Sequence, residues 1–174
     1  LWTFGYEQRQ SIAQAGAVEH VAFSVSEKRL RREIHMHLKQ ADIDYQRMHY
    51  NTVVSAAMKM LNALEEAKSG NGSQPPASPT VTREAVGILL RVLYPLAPHI
   101  THALWNELGY AREYGEIIDA PWPKVDESAL IQDEMELVVQ VNGKVRGSIR
   151  VPTHADDSAI TATALADANV IKFL

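Results

Sequence analysis

Apolar positions recur at three- and four-residue steps from Leu30 through Ile34, His37 or Leu38, Ala41, Tyr45 and Met48. That spacing lines one face of an α-helix, and it predicts a helix over about 27–48 with Ser26 as its cap. Arg29, Arg32, Met36, Lys39, Ile43 and Arg47 repeat with the same period on a different side. A second helix is predicted over about 52–68, capped by Asn51, with Val53, Ala57, Met60 or Leu61, and Leu64 turned inward. The tract 69–79 is rich in Gly, Ser, Asn and Pro and reads as a loop. Thr80 then offers a cap to a third helix, whose inner face holds Val81, Ala85, Ile88, Leu89 and Val92. Pro95 breaks it, Pro98 suits the first turn of a fourth helix over about 98–108, and Gly109 closes that helix. The first 25 or so residues show no sustained period.

From Tyr110 the helical pattern stops, and Pro121-Trp122-Pro123 lies within an acidic, irregular stretch. A tryptophan between two prolines is costly to leave in water, so this stretch reads as a docked connector. Beyond it the period becomes two. Leu137, Val139 and Val141 alternate before Asn142-Gly143, and Val145, Gly147, Ile149 and Val151 alternate after it. An Asn-Gly pair between alternating runs is a hairpin signal. A two-residue loop would put the two aliphatic sets on opposite faces. A three-residue loop, with Gly143 at positive φ, keeps them on one face and is favoured on that ground. Gln140, Lys144, Arg146, Ser148 and Arg150 would then form a basic face. A short helix over about 155–168 follows, with Asp156 and Asp157 in its first turn. The fold class is therefore mainly α: a four-helix bundle over 1–110, an acidic connector over 111–134, and a partial α+β module over 135–174.

Composition narrows the function classes. The 174 residues contain no cysteine, which excludes disulfides, thiolate metal sites and a thiol nucleophile. No apolar run reaches the roughly 18–20 residues of a membrane span. The formal net charge of −4 argues against a polyanionic partner, but charge is segregated. Lys28, Arg29, Arg31, Arg32, Lys39 and Arg47 outnumber acids over 28–47, while acids dominate 112–136. His99 and His102 share a helix face without a third ligand, and His35 and His37 do not share one, so no metal site is expected. No triad, phosphate loop or paired-carboxylate arrangement stands out, and no catalytic residue is assigned.

The run Tyr94-Pro95-Leu96-Ala97-Pro98-His99-Ile100, with Leu104-Trp105-Asn106-Glu107-Leu108-Gly109, resembles the anticodon-binding bundle of class I synthetases for large aliphatic amino acids. The segment Asn51-Thr52-Val53-Val54-Ser55-Ala56-Ala57-Met58 looks like a second signature of that bundle. Ala120-Pro121-Trp122-Pro123 and Val139-Gln140-Val141-Asn142-Gly143-Lys144-Val145-Arg146 resemble leucyl-tRNA synthetases of the bacterial type. The hairpin run separates these from valyl and isoleucyl relatives, which remain the alternative together with a helical protein-interaction module. The resemblance covers most of 30–151. The family's catalytic domain, with its His-Ile-Gly-His and Lys-Met-Ser-Lys-Ser signatures, is absent, and so is its editing insertion. What the resemblance implies is a C-terminal fragment of an ATP- and Mg²⁺-dependent ligase, inactive alone and without a cofactor of its own. The implied partner is tRNA(Leu), with neither DNA nor membrane, and the implied parent is monomeric and cytoplasmic. Candidate tRNA contacts are Arg29, Arg32, Lys39 and Arg47 on the first helix and Lys144, Arg146 and Arg150 on the hairpin. The competing readings are an ordinary solvated helix face and an edge-protecting sheet face.

Overall fold

The computed structural model describes residues 1–16, 22–70, 75–131, 134–141, 143–153 and 155–172. The hairpin residue Asn142 and part of the expected loop, 71–74, lie outside them. The chain divides into two compact units, Leu1–Leu130 and Ile131–Leu174.

The first unit is helical: α1 Trp2–Gln14, α2 Val25–Gln46, α3 Tyr50–Ser69, α4 Pro79–Leu93 and α5 Pro98–Glu107, then the short turns α6 Ala111–Tyr114 and α7 Glu127–Leu130. Its core holds the expected Leu30, Ile34, Leu38 and Ala41 of α2, Val53, Ala57, Met60 and Leu64 of α3, and Val81, Ala85, Ile88, Leu89 and Val92 of α4. Met48, expected on the inner stripe, is 71% exposed. It sits past the end of α2 with φ 56°, at the tight corner into α3, so the helical period no longer governs it.

The caps differ from expectation in an instructive way. Ser24, not Ser26, opens α2, because Glu27 stands three residues after it. Its side chain accepts the Ser24 N–H while Ser24 Oγ accepts the Glu27 N–H, a reciprocal capping box. Glu27 also accepts the Ser78 N–H at 3.0 Å, which ties the start of α2 to the start of α4. Burial opposes its ionisation, but these hydrogen bonds from Ser78 and Ser24 outweigh it and lower the Glu27 pKa to about 2. α3 begins at Tyr50 without the Asn51 cap, and Pro79 occupies the first turn of α4, ahead of the expected Thr80 cap.

α1 has no counterpart in the sequence pattern. Only Phe4 and Ile12 among its large apolar residues are fully buried, too few to create a periodic signal. Gly5 lets it approach α5 closely, since a Cβ there would stand 2.7 Å from Leu104 Cδ2. The Arg83 guanidinium of α4 donates to the carbonyls of Ile12 and Leu108 and so satisfies two helix ends.

Gly87 of α4 lies under the ring of buried Tyr110, which stacks on Trp105 with centroids 4.7 Å apart. A Cβ at Gly87 would stand 2.9 Å from Tyr110 Cε1. Gly87→Ala is therefore expected to lower stability by about 1–3 kcal/mol through overpacking, read as a lowered urea midpoint with unchanged slope. A midpoint at or above that of the parent would show that the ring can shift freely.

The second unit pairs β1 Glu134–Val141 with β2 Lys144–Pro152 in an antiparallel hairpin, followed by α8 Asp157–Ala166 and α9 Ala168–Ile171. Val141 pairs with Lys144, so the loop has two residues, not three. The aliphatic sets are still aligned, because Gln140 pairs with Val145 and Val139 with Gly147, leaving Arg146 as one extra residue. This β-bulge restores the expected pairing of Leu137 with Ile149. Gly143 does adopt positive φ, at 75°. Ile149, Val151 and Val170 form the buried centre of this unit, where Gly147 faces Val170 and Asp167. Asp156 caps α8 by accepting the Ala159 N–H.

Candidate nucleic-acid interface

Successive side chains of α2 fall on three stripes. The first is the core face, Leu30, Ile34, Leu38 and Ala41. The second, Arg31, His35, Lys39 and Asp42, meets the segment Gly115–Leu130, which acts as a strap. The third, Arg29, Arg32, Met36, Ile43 and Arg47, faces away from the core, with Met36 and Ile43 42% and 38% exposed.

The strap is held along its length. Trp122 donates its indole N–H to Asp42 Oδ1 at 2.7 Å and meets the Tyr45 ring edge-on, with centroids 5.5 Å apart. The Tyr45 hydroxyl donates to Val92 O, so the same ring is anchored to α4. Arg91 of α4 donates to Pro121 O. Trp122 thus anchors the strap, as its place between two prolines predicts, and Trp105 packs in the core.

Arg31, 7% exposed, is the centre of this region. It donates to both carboxylate oxygens of Glu84, at 2.6 and 2.8 Å, and to Asp126 at 2.8 Å. His35 Nδ1 accepts the Asp126 N–H at 3.1 Å, which leaves Nε2 as the protonated nitrogen facing Glu84 at 3.3 Å. Hydrogen bonding from Ser128 first, then from Arg31, lowers Asp126 to about 2 against the effect of burial. Glu84 is likewise held low, because Arg31 and His35 overcome its burial. These charges are mutually satisfied and serve structure.

The sequence-derived candidates separate on this frame. Arg29 and Arg47 are exposed and Arg32 is half-buried, and none has an ion-pair partner among the described residues. Arg32 Nε is buried and finds no acceptor among them. Arg29 and Arg47 lie about 27 Å apart along the helix at 1.5 Å per residue, a span that can follow several phosphates. Lys39 stands apart from this group, paired with Glu127 at 3.1 Å. Lys59 of α3 lies off the buried stripe of Val53, Ala57, Met60 and Leu64, the only signal that the spacing of that helix carries. Burial first, and then the Lys59 charge, lower the pKa of His37.

On the hairpin the expected basic face is not assembled. The two-residue loop places Lys144 opposite Val141, on the side of Leu137 and Val139, and Val145 opposite Gln140, on the other side with Val138 and Ser148. Val138 and Val145 are 61% and 62% exposed. Lys144 is exposed beside the turn, Arg146 is half-buried in the bulge, and Arg150 is described only by its backbone, paired with Glu136.

Among the described residues no cluster of three or more His, Asp or Glu could hold a metal ion, and no helix is long and apolar enough to cross a membrane. The family model for the anticodon-binding domain of tRNA ligase matches residues 27–161. The chain belongs to that family. This anticodon-binding-type chain is 57% identical to leucine–tRNA ligase of Burkholderia multivorans and 56% identical to that of Burkholderia pseudomallei, each over 99% of its length. It spans 19% of the length of these relatives. The crystal structure of a ternary complex of Agrobacterium radiobacter K84 agnB2 LeuRS with tRNA and LeuAMS matches 98% of the chain and 21% of that protein. The TM-score is 0.73 at 25% identity.

Proposed function

We propose that the chain is the tRNA-binding segment of a leucine–tRNA ligase, and that α2 presents Arg29, Arg32 and Arg47 to the phosphates of tRNA(Leu). The observation that carries this reading is high identity to leucine–tRNA ligases over 99% of the chain, hairpin included. The outward cations of α2, which the internal ion pairs leave uncommitted, support it. The parent enzyme joins leucine to tRNA(Leu) with ATP and Mg²⁺, as a monomer in the cytoplasm. This segment supplies binding and orientation, not a reacting group. Residues 135–174 belong to a C-terminal tRNA-binding domain, where Lys144, Arg146 and Arg150 add contacts from separate places rather than from one face.

Phosphate contacts release counterions, so affinity falls with salt in proportion to their number. Replacing Arg29, Arg32 and Arg47 together with Gln in the full-length ligase is expected to reduce the slope of log K against log salt by about 2–3 for tRNA(Leu). An unchanged slope would remove the α2 stripe from the interface.

A further inference from the structure

Among the four cations proposed from the α2 sequence, Lys39 is distinguished by what it touches. Its Nζ donates to both oxygens of Glu127, at 3.1 and 3.4 Å. Both side chains are largely exposed, 53% for Lys39 and 70% for Glu127, and an isolated surface pair of this kind is worth little. Glu127, however, is not an isolated side chain. Asp126 immediately before it is fixed by Arg31 through its carboxylate and by His35 through its backbone N–H. Five residues upstream, Trp122 is fixed by Asp42 and Tyr45, and from Glu127 the chain turns into α7, which packs on α2. The backbone that carries the carboxylate is therefore already in place. Tethering makes its encounter with Lys39 an intramolecular one, at an effective concentration that a free phosphate must exceed. The same flank also carries the Asp42 carboxylate, held by the Trp122 indole N–H, which repels an approaching polyanion.

We propose that Glu127 holds Lys39 out of RNA contact, so that the strap supplies a built-in carboxylate where a phosphate would otherwise bind. The RNA backbone is thereby confined to the Arg29, Arg32 and Arg47 stripe. This inference rests on the tRNA-binding reading and sharpens it. An unbroken band of cations around the outer half of α2 would accept a polyanion in many registers, whereas a masked flank admits it along one line. Discrimination between registers then comes from repulsion as well as attraction.

The test is a double-mutant cycle in the full-length ligase, with Lys39→Gln, Glu127→Gln and the pair together. Binding of a tRNA(Leu) transcript is titrated between about 50 and 200 mM salt. Both side chains are exposed, so the fold is not at risk. Lys39→Gln alone is expected to leave the salt slope unchanged. Glu127→Gln is expected to steepen the slope by about 0.7–0.9, one added phosphate contact, and to tighten binding several-fold at the lowest salt. The double variant is expected to return to the parent slope. A reduced slope in Lys39→Gln alone, or an unchanged slope in Glu127→Gln, would overturn the masking. Failure of the underlying tRNA reading shows elsewhere, as an unchanged slope when Arg29, Arg32 and Arg47 are neutralised.

Discussion

A full-length ligase from which this segment is deleted is expected to charge tRNA at least about 100-fold more slowly, while leucyl-adenylate formation stays within a few-fold of the intact enzyme. The two half-reactions place different demands on geometry. Adenylate formation brings together two small substrates. Transfer requires the end of a large RNA to arrive within reaction distance, and a displacement of about 1 Å at the reacting atoms can cost 100-fold in rate. If the segment only orients RNA, its loss falls on the second step. The measurement is the rate of aminoacylation beside leucine-dependent ATP–pyrophosphate exchange on the same preparation. Equal losses in both would mean that the segment supports the catalytic domain as a whole and would refute the proposed division of labour.

The sequence made the helices of the bundle readable wherever a buried stripe was long. Leu30, Ile34, Leu38 and Ala41 on α2, and Val81, Ala85, Ile88, Leu89 and Val92 on α4, announce their inward faces by spacing alone, and burial agrees. α1 was invisible because it is held by Phe4, Ile12 and the close approach at Gly5, and a contact made possible by a missing Cβ leaves no hydrophobic signal. The start of α2 was misplaced for a different reason. Ser24 and Ser26 look alike locally, and the choice is made by Glu27 reaching back to Ser24. The hairpin shows the limit of register arguments. The need to bury both aliphatic sets was right, but a bulge met it where a longer loop had been expected, and the basic face dissolved as a result.

The candidate site was legible as composition and not as partition. Periodicity places Arg29, Arg32, Lys39 and Arg47 on the outer half of one helix, which the structure retains. It does not show that Arg31, one residue from Arg32, is buried at 7% exposure while Lys39 meets a carboxylate 88 residues away. Both facts depend on the strap, and the strap's path is set by Trp122, Pro121 and Asp126 through tertiary contacts. Read as a connector, its acids looked like solvated charge to be kept away from RNA. On the proposed reading they form part of the surface that decides where RNA can lie.

Arg31→Met is expected to destabilise the first unit by about 3–5 kcal/mol at neutral pH, the usual cost of breaking a buried ion pair from one side. The substitution removes both hydrogen bonds to Glu84 and the one to Asp126, and it leaves the 18%-exposed Glu84 carboxylate with only His35 at 3.3 Å. The pH dependence gives the cause away. In the parent the folded-state pKa of Glu84 lies below its ordinary value of 4.5. Its contribution is therefore present above that ordinary value and is lost as pH falls through the depressed one. In the variant burial acts almost unopposed and raises the Glu84 pKa, so the folded state takes up a proton more readily than the unfolded chain. Stability is then regained as pH falls through the raised value. The gap between parent and variant, measured by urea unfolding, should be widest near neutrality and should narrow in acid. Adding Glu84→Gln to Arg31→Met should recover part of the loss at neutral pH, because no uncompensated carboxylate is left behind. A gap independent of pH, with no recovery in the double variant, would mean that Arg31 acts through its packing on the Phe23 ring, 4.4 Å from the guanidinium, and not through its charge.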